Sequence, residues 1–236
     1  MSLTHSLVIP QSEENMNTQR RDLIKKICGI GVFAALAYIT TFICKPIPNV
    51  AGFLSIDAKD AVIAIASFIY GPVAGPIIAL IVAFVEFITI SATGIWGFVM
   101  NFVSSATFSL VVSLIYKYRK TFNGAIVGFA AATVVTTAVM VALNPIIIPL
   151  YPYVDWSAAD VVRIIPTVLL PFNFAKTLLN SALAMLLYKP IINAMRSARL
   201  VNRAEHKTEF NRTSLLTVIV GGVSLILALV ILIIIW

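Results

Sequence analysis

Nine ionisable or amide side chains sit inside, or at the edges of, long apolar runs: Asp57, Lys59, Asp60, Glu86, Asn101, Asn144, Asn173, Lys176 and Asn180. Such groups are expensive where little water reaches them, which makes them the first candidates for function. Asp57, Lys59 and Asp60 open an apolar segment, where they can cap a helix and complement its dipole, or else face a pocket. Glu86 can pair with Lys59 or Lys176, or touch a substrate. Asn173 and Lys176 stand three residues apart on one helical face, just behind Pro171, a first-turn proline. Asn144 precedes Pro145, and its amide offers two donors and an acceptor. Amides of this kind can pair with the carbonyl and N–H edge of a flat heteroaromatic ligand, or they can bond between helices for about 1 kcal/mol or less. Residue chemistry leaves both open.

Catalytic alternatives are poorly equipped. Glu86 with Asp57 or Asp60 is the one acid pair at a shared depth, and the sequence contains no G-x-x-x-x-G-K-[ST], H-E-x-x-H or G-x-S-x-G. Neither ATP hydrolysis nor the common intramembrane hydrolase chemistries have their parts. Two Cys (Cys28, Cys44) and two His (His5, His206) match no metal-site spacing, so neither a metal nor a cofactor is expected. The cysteines lie about 24 Å apart along an unbroken helix, too far for a bridge.

The elements that carry these groups follow from composition. The 236 residues are 60% hydrophobic and 11% charged, with a mean hydropathy of +0.98. A soluble domain carries about a quarter charged residues. Too little polar surface remains to cover a water-soluble globule, which excludes a cytosolic enzyme, a secreted domain and a disordered chain. An all-α polytopic membrane protein is expected. Spans of roughly 20 apolar residues are read at 27–44, 58–71, 73–91, 95–116, 124–150, 167–190 and 214–236. The second is short and is parted from the third only by Gly71-Pro72, a hairpin or a broken helix.

Seventeen Lys+Arg against ten Asp+Glu give a formal charge of +7. In so apolar a chain this sets membrane orientation and does not indicate nucleic-acid binding. Arg20, Arg21, Lys25 and Lys26 precede the first span; Lys117, Arg119 and Lys120 follow the fourth; Lys189, Arg196, Arg199, Arg203, Lys207 and Arg212 lie between the sixth and seventh. All three sets fall on one side, which the positive-inside rule makes the cytoplasm. The N-terminus is then inside and Trp236 outside, and no cleaved signal peptide is expected. The opposite face carries the long connections 45–57 and 151–166, with Pro46, Pro48, Tyr151, Pro152, Tyr153 and Trp156. These aromatics fit an interfacial belt; grouped with prolines on one face they also fit loops roofing a pocket.

Four regions follow: a cytoplasmic tail over 1–24, a six-helix membrane domain over 25–195, a basic linker over 196–213 and an appended anchor over 214–236. In the first span Gly31 and Ala35 form a small-x-x-x-small step, for which packing within the protein is the favoured use on residue grounds alone.

Ser55-Ile-Asp57-Ala-Lys-Asp60, Tyr70-Gly-Pro-Val-Ala-Gly75, Gly97-Phe-Val-Met-Asn101-Phe102, Leu143-Asn144 and Leu170-Pro-Phe-Asn173 with Lys176 together resemble a known family. It is that of the substrate-binding S components of energy-coupling factor (ECF) vitamin transporters, and the likeness runs over about 25–195. The last two motifs are similar to the riboflavin-specific branch. The resemblance implies a six-helix protein that binds a vitamin under its outer loops. It also implies a transmembrane coupling subunit and two cytosolic ATPases as partners in the bacterial plasma membrane. It further implies that Asn144 and Asn173 face the ligand's ring with Lys176 beside them, and that Gly31 and Ala35 contact the coupling subunit. Asp57, Glu86, Trp96, Asn101 and Tyr151 complete the expected site, with Trp96, Phe98 and Tyr151 as aromatic walls for a flavin. Late in the third span, where many riboflavin-type members carry Lys-Asn, this chain has Glu86-Phe87, a charge reversal bearing on which vitamin is taken. Pantothenate, a pyrimidine thiamine precursor and pyridoxine are the alternatives. A carboxylate vitamin would call on Lys176 or Lys59. A membrane enzyme and a scaffold are the other classes; polar groups clustered at the outer span ends count against the scaffold.

Overall fold

The computed structural model describes residues 11–119, 121–152, 154–200 and 212–235. His5, Lys120, Tyr153, Arg203, His206, Lys207 and Trp236 lie outside them. Eight α-helices run along the described chain: α1 (Gln11–Cys44), α2 (Lys59–Tyr70), α3 (Ala74–Thr89), α4 (Gly94–Tyr118), α5 (Phe122–Ile147), α6 (Ala158–Arg163), α7 (Leu170–Ser197) and α8 (Arg212–Ile235). No strand is present among the described residues, where an isolated bridge joins Val50 and Leu54.

Five helical stretches are long and apolar enough to cross a membrane: Met16–Cys44, Gly94–Tyr118, Asn123–Leu150, Ile165–Ser197 and Leu215–Ile235. The 12 residues of α2 and 16 of α3 are shorter than a span, as expected for 58–71. At 1.5 Å per residue α2 reaches only about 18 Å. It survives with polar ends because it sits in the middle of the bundle: Lys59 through Ser67 are all buried, against α1, α3, α4 and α7. Gly71, at φ +96°, makes the break before α3, a conformation that disfavours any side chain. The core around α2 holds Phe33, Ile63, Ile65, Ile78, Val82, Phe108, Val112 and Phe129.

Two boundaries differ from the sequence reading. The sixth span starts earlier, in a π-helical turn at Ile165–Leu169, and α7 then runs on through Pro190 to Ser197. The fifth agrees with its reading at 124–150: it passes through Pro145 and tightens into a 3-10 turn at Ile148–Leu150. The connection read as loop over 151–166 contains α6, held by a capping box in which Ser157 and Asp160 satisfy each other's backbone N–H. That bond with Ser157 holds the exposed Asp160 carboxyl below its ordinary range.

Cys28 and Cys44 are both free, Cys28 exposed and Cys44 half-buried.

Candidate functional site

The end of the bundle carrying the two long connections holds a cleft of about 720 Å³ including its open mouth. Its floor is built by the start of α2, the end of α3 and the start of α4, through Asp57, Lys59, Glu86, Met100 and Asn101; Phe53, Ile56 and Tyr151 from the connections form its roof. A cleft of about 710 Å³ at the other end, walled by Phe68, Tyr116, Phe129 and Tyr188, holds none of the expected polar residues.

The floor is an ion-pair chain. Lys59 Nζ donates to both Glu86 oxygens, at 2.9 and 2.8 Å, and lies 3.7 Å from Asp57 Oδ2. Lys176 Nζ donates to that same Asp57 Oδ2 at 2.7 Å and to the Ser55 carbonyl at 3.2 Å. Asn101 Nδ2 donates to Glu86 Oε2 at 3.1 Å, and the Ser105 hydroxyl donates to Asp60 Oδ1. Two carboxylates, Asp57 and Glu86, therefore share two ammonium groups in a buried setting, where charge persists only if paired, and the third, Asp60, is held by Ser105.

Asn180 ties the chain to the backbone. Its Oδ1 accepts from the Ala61 N–H at 2.9 Å, and its Nδ2 donates to the carbonyls of Asp57 and Lys176, each at 3.0 Å. The helix-capping use considered for Asp57 and Asp60 is corrected here: Ala58 is the N-cap, with no side-chain cap bond. An α7 amide satisfies an orphan N–H of α2 instead, freeing both carboxylates for lysine and serine partners. No local pattern announces this role, since Asn180 lies about 120 residues away in the chain.

The buried side-chain atoms without a hydrogen-bond partner among the described residues include Asp57 Oδ1, of a residue lining the cleft, and Asn144 Nδ2 on α5. Tyr151 closes the roof edge-on to Phe53, ring centres 6.2 Å apart, and Trp156 meets Phe53 at 5.5 Å. Burial pushes the Tyr151 phenol up to about 12, so it stays a neutral hydroxyl at physiological pH.

Residues 25–188 match the model of the family described as ECF transporter, substrate-specific component. The chain belongs to that family. As an S component it is a multi-pass membrane protein of a transporter family. It is 32% identical over 177 residues to the riboflavin transporter RibU of Staphylococcus aureus (strain TCH60), covering 73% of this chain and 93% of the relative. It is 28% identical over 187 residues to the riboflavin transporter FmnP of Bacillus subtilis (strain 168), covering 75% and 98%. Among solved structures, the S component of a bacterial ECF transporter superposes with a TM-score of 0.62 at 32% identity, covering 74% of this chain and 99% of that one.

Within this S component the expected site residues divide into two layers. Asp57, Glu86, Asn101 and Tyr151 line the cleft. Lys176 stands behind them, holding Asp57 and Ser55. Asn144 and Asn173 are buried but are not among the residues lining the cleft, and Asn173 Nδ2 donates to the Leu169 carbonyl at 2.7 Å. Trp96 does not join the wall: it is 37% exposed at the start of α4, outside the set lining the cleft. Phe98 pairs with Phe87 instead. The charge reversal at Glu86 is neutralised within the protein, because Lys59 occupies both its oxygens. Internal packing of Gly31 and Ala35 is also corrected. Both are exposed on the outer face of α1, and a Cβ at Gly31 would meet no atom within 4 Å. Gly29 is the packed glycine, against the Tyr70 hydroxyl.

Proposed function

We propose that this S component captures riboflavin from the outer side of the bacterial plasma membrane. The vitamin sits in the cleft under the connections 45–58 and 148–157. A separate transmembrane coupling subunit, docked on the Gly31–Ala35 face, and two cytosolic ATPases then drive delivery inward, with no catalysis by this chain. The N-terminal tail over 1–24 and the linker over 196–213 are cytoplasmic in this reading, by the positive-inside rule, and 25–195 is the binding domain.

The single observation that carries the reading is the cleft. It has an aromatic and apolar roof over a polar floor, with an unsatisfied Asp57 oxygen in its wall; outside that lining, on α5, the buried Asn144 amide is unsatisfied too. A buried acceptor and a buried donor left open favour a ligand that brings both, as a flavin's ring edge and ribityl hydroxyls do. The names of the two relatives support the same ligand. Both lysines near the floor are engaged with carboxylates, which counts against a carboxylate vitamin such as pantothenate. Asn144, Asn173, Asp57, Asn101 and Tyr151 are the proposed ligand contacts, with Glu86 and Lys176 shaping the floor.

Titrating riboflavin into the purified protein and following quenching of its fluorescence tests this. One-to-one quenching is expected. Lys176→Ala, which releases Asp57 and Ser55, weakens binding by about 10- to 100-fold, as expected for loss of a charge-assisted bond. Asn173→Ala weakens it as well. Unchanged affinity in both variants contradicts the assignment of the site.

A further inference from the structure

The family match ends at residue 188, so α8 lies outside it. A helix apolar on every side would pass for a plain membrane anchor, but its packing is not that of one. Its inner half lies along α7, where Gly221 approaches Leu186 and the Ala182 carbonyl. Its outer half does something more specific. Ala228 and Leu232 are buried, 0% and 4% exposed, in a cluster with Phe172, Ala175 and Leu179 of α7 and with Val50. Leu54 and Ile56 pack on the same cluster. Val50, Leu54 and Ile56 all belong to the α1–α2 connection, the segment that roofs the cleft.

That connection is a compact tab. Val50 and Leu54 exchange backbone hydrogen bonds at 2.9 and 3.0 Å around a turn with Ala51 and Gly52 at positive φ. On one side of the tab Phe53 enters the cleft roof and meets Tyr151 and Trp156. On another, Lys176 holds the Ser55 carbonyl. The third side is the apolar cluster in which Val50 is buried and to which α8 contributes Ala228 and Leu232. A roof that must open to admit a ligand and close over it is sensitive to each of its three attachments, because opening breaks them together.

We propose that α8 positions the binding site: its Ala228–Leu232 surface seats Val50, holds the α1–α2 tab over the cleft, and so slows escape of the bound ligand. The inference rests on the cleft being the site of capture. It assigns Leu232 a positioning role through Val50, with no contact to the ligand.

The test uses the full chain in lipid nanodiscs on a Cys28→Ser background, comparing Leu232→Ala and Val50→Ala with Ile233→Ala, whose side chain is 74% exposed. Two readouts are followed: riboflavin dissociation by stopped-flow fluorescence, and alkylation of Cys44, which lines the cleft beneath the tab, by a membrane-impermeant maleimide. Leu232→Ala and Val50→Ala each raise the dissociation rate and the Cys44 alkylation rate by about tenfold, with association within about twofold. The double variant adds little to either single one, since both remove the same seat. Ile233→Ala changes nothing. Faster Cys44 alkylation in a protein that does not quench riboflavin supports the α8 role while removing the proposed vitamin. Unchanged Cys44 alkylation in Leu232→Ala, with the variant folded by size-exclusion profile, overturns the inference.

Discussion

Lys59 on α2 and Glu86 on α3 form a two-pronged ion pair, 2.9 and 2.8 Å from Nζ to the two carboxylate oxygens, at 2% and 3% exposure. The pair joins the short, enclosed α2 to the end of α3 and makes the floor of the cleft. It also explains how Glu86 can occupy a pocket wall without presenting a bare negative charge to a ligand. Asn101 adds a third bond to that carboxylate at 3.1 Å, so Glu86 is committed to the protein.

Removing one member of such a pair leaves the other charged, buried and poorly matched. Glu86→Gln lowers stability by about 3 to 5 kcal/mol, whereas Lys59→Met combined with Glu86→Leu recovers much of the loss. Thermal unfolding in detergent, followed by size-exclusion survival, measures both. A Glu86→Gln variant as stable as the parent would mean the pair is not the floor described.

How much of this was legible beforehand differs residue by residue. The three-residue spacing of Asn173 and Lys176, and the proline before them, placed both on one face at the outer end of a helix, which is where α7 holds them. Local spacing carries that information. The partners do not follow from it: Lys59 and Glu86 are 27 residues apart, Lys176 and Asp57 119 apart, and only the packing of α2 inside the bundle brings them together. Asn180 drew notice as a polar group in a span, but its capping of α2 is a tertiary substitution with no sequence signature. Helix α6 was readable, since Ser157 and Asp160 stand at capping-box spacing; the prolines and aromatics around it masked the signal. The seat that α8 provides had no cue, because a helix apolar on all sides does not reveal which side is buried.

The floor's charge balance separates vitamins by charge. Asp57 and Glu86 pair with Lys59 and Lys176, and Asp60, bonded to Ser105, adds one formal negative charge in excess, while Lys45 stands exposed at the mouth where water and salt screen it. A phosphate ester brought within about 8 Å meets repulsion on the order of 2 kcal/mol. Riboflavin 5′-phosphate therefore binds about tenfold or more weaker than riboflavin in competition titrations. Equal affinity for the two would place the ligand's tail away from this floor.

The exposed step on α1 gives a separate handle on partners. Gly31→Leu and Ala35→Leu add bulk where a Cβ at Gly31 meets nothing within 4 Å, so riboflavin affinity stays within about twofold. Co-purification with the coupling subunit falls sharply, because close helix approach needs small side chains. Retained co-purification would move the docking face elsewhere on the bundle.

The most direct test of the central claim is the absorption spectrum of the protein purified from riboflavin-replete cells, together with the mass of the small molecule released on denaturation. A yellow preparation yielding riboflavin in near-stoichiometric amount is the expected result. A colourless preparation that also fails to quench added riboflavin would contradict it, and would turn the search for the ligand to the other vitamins.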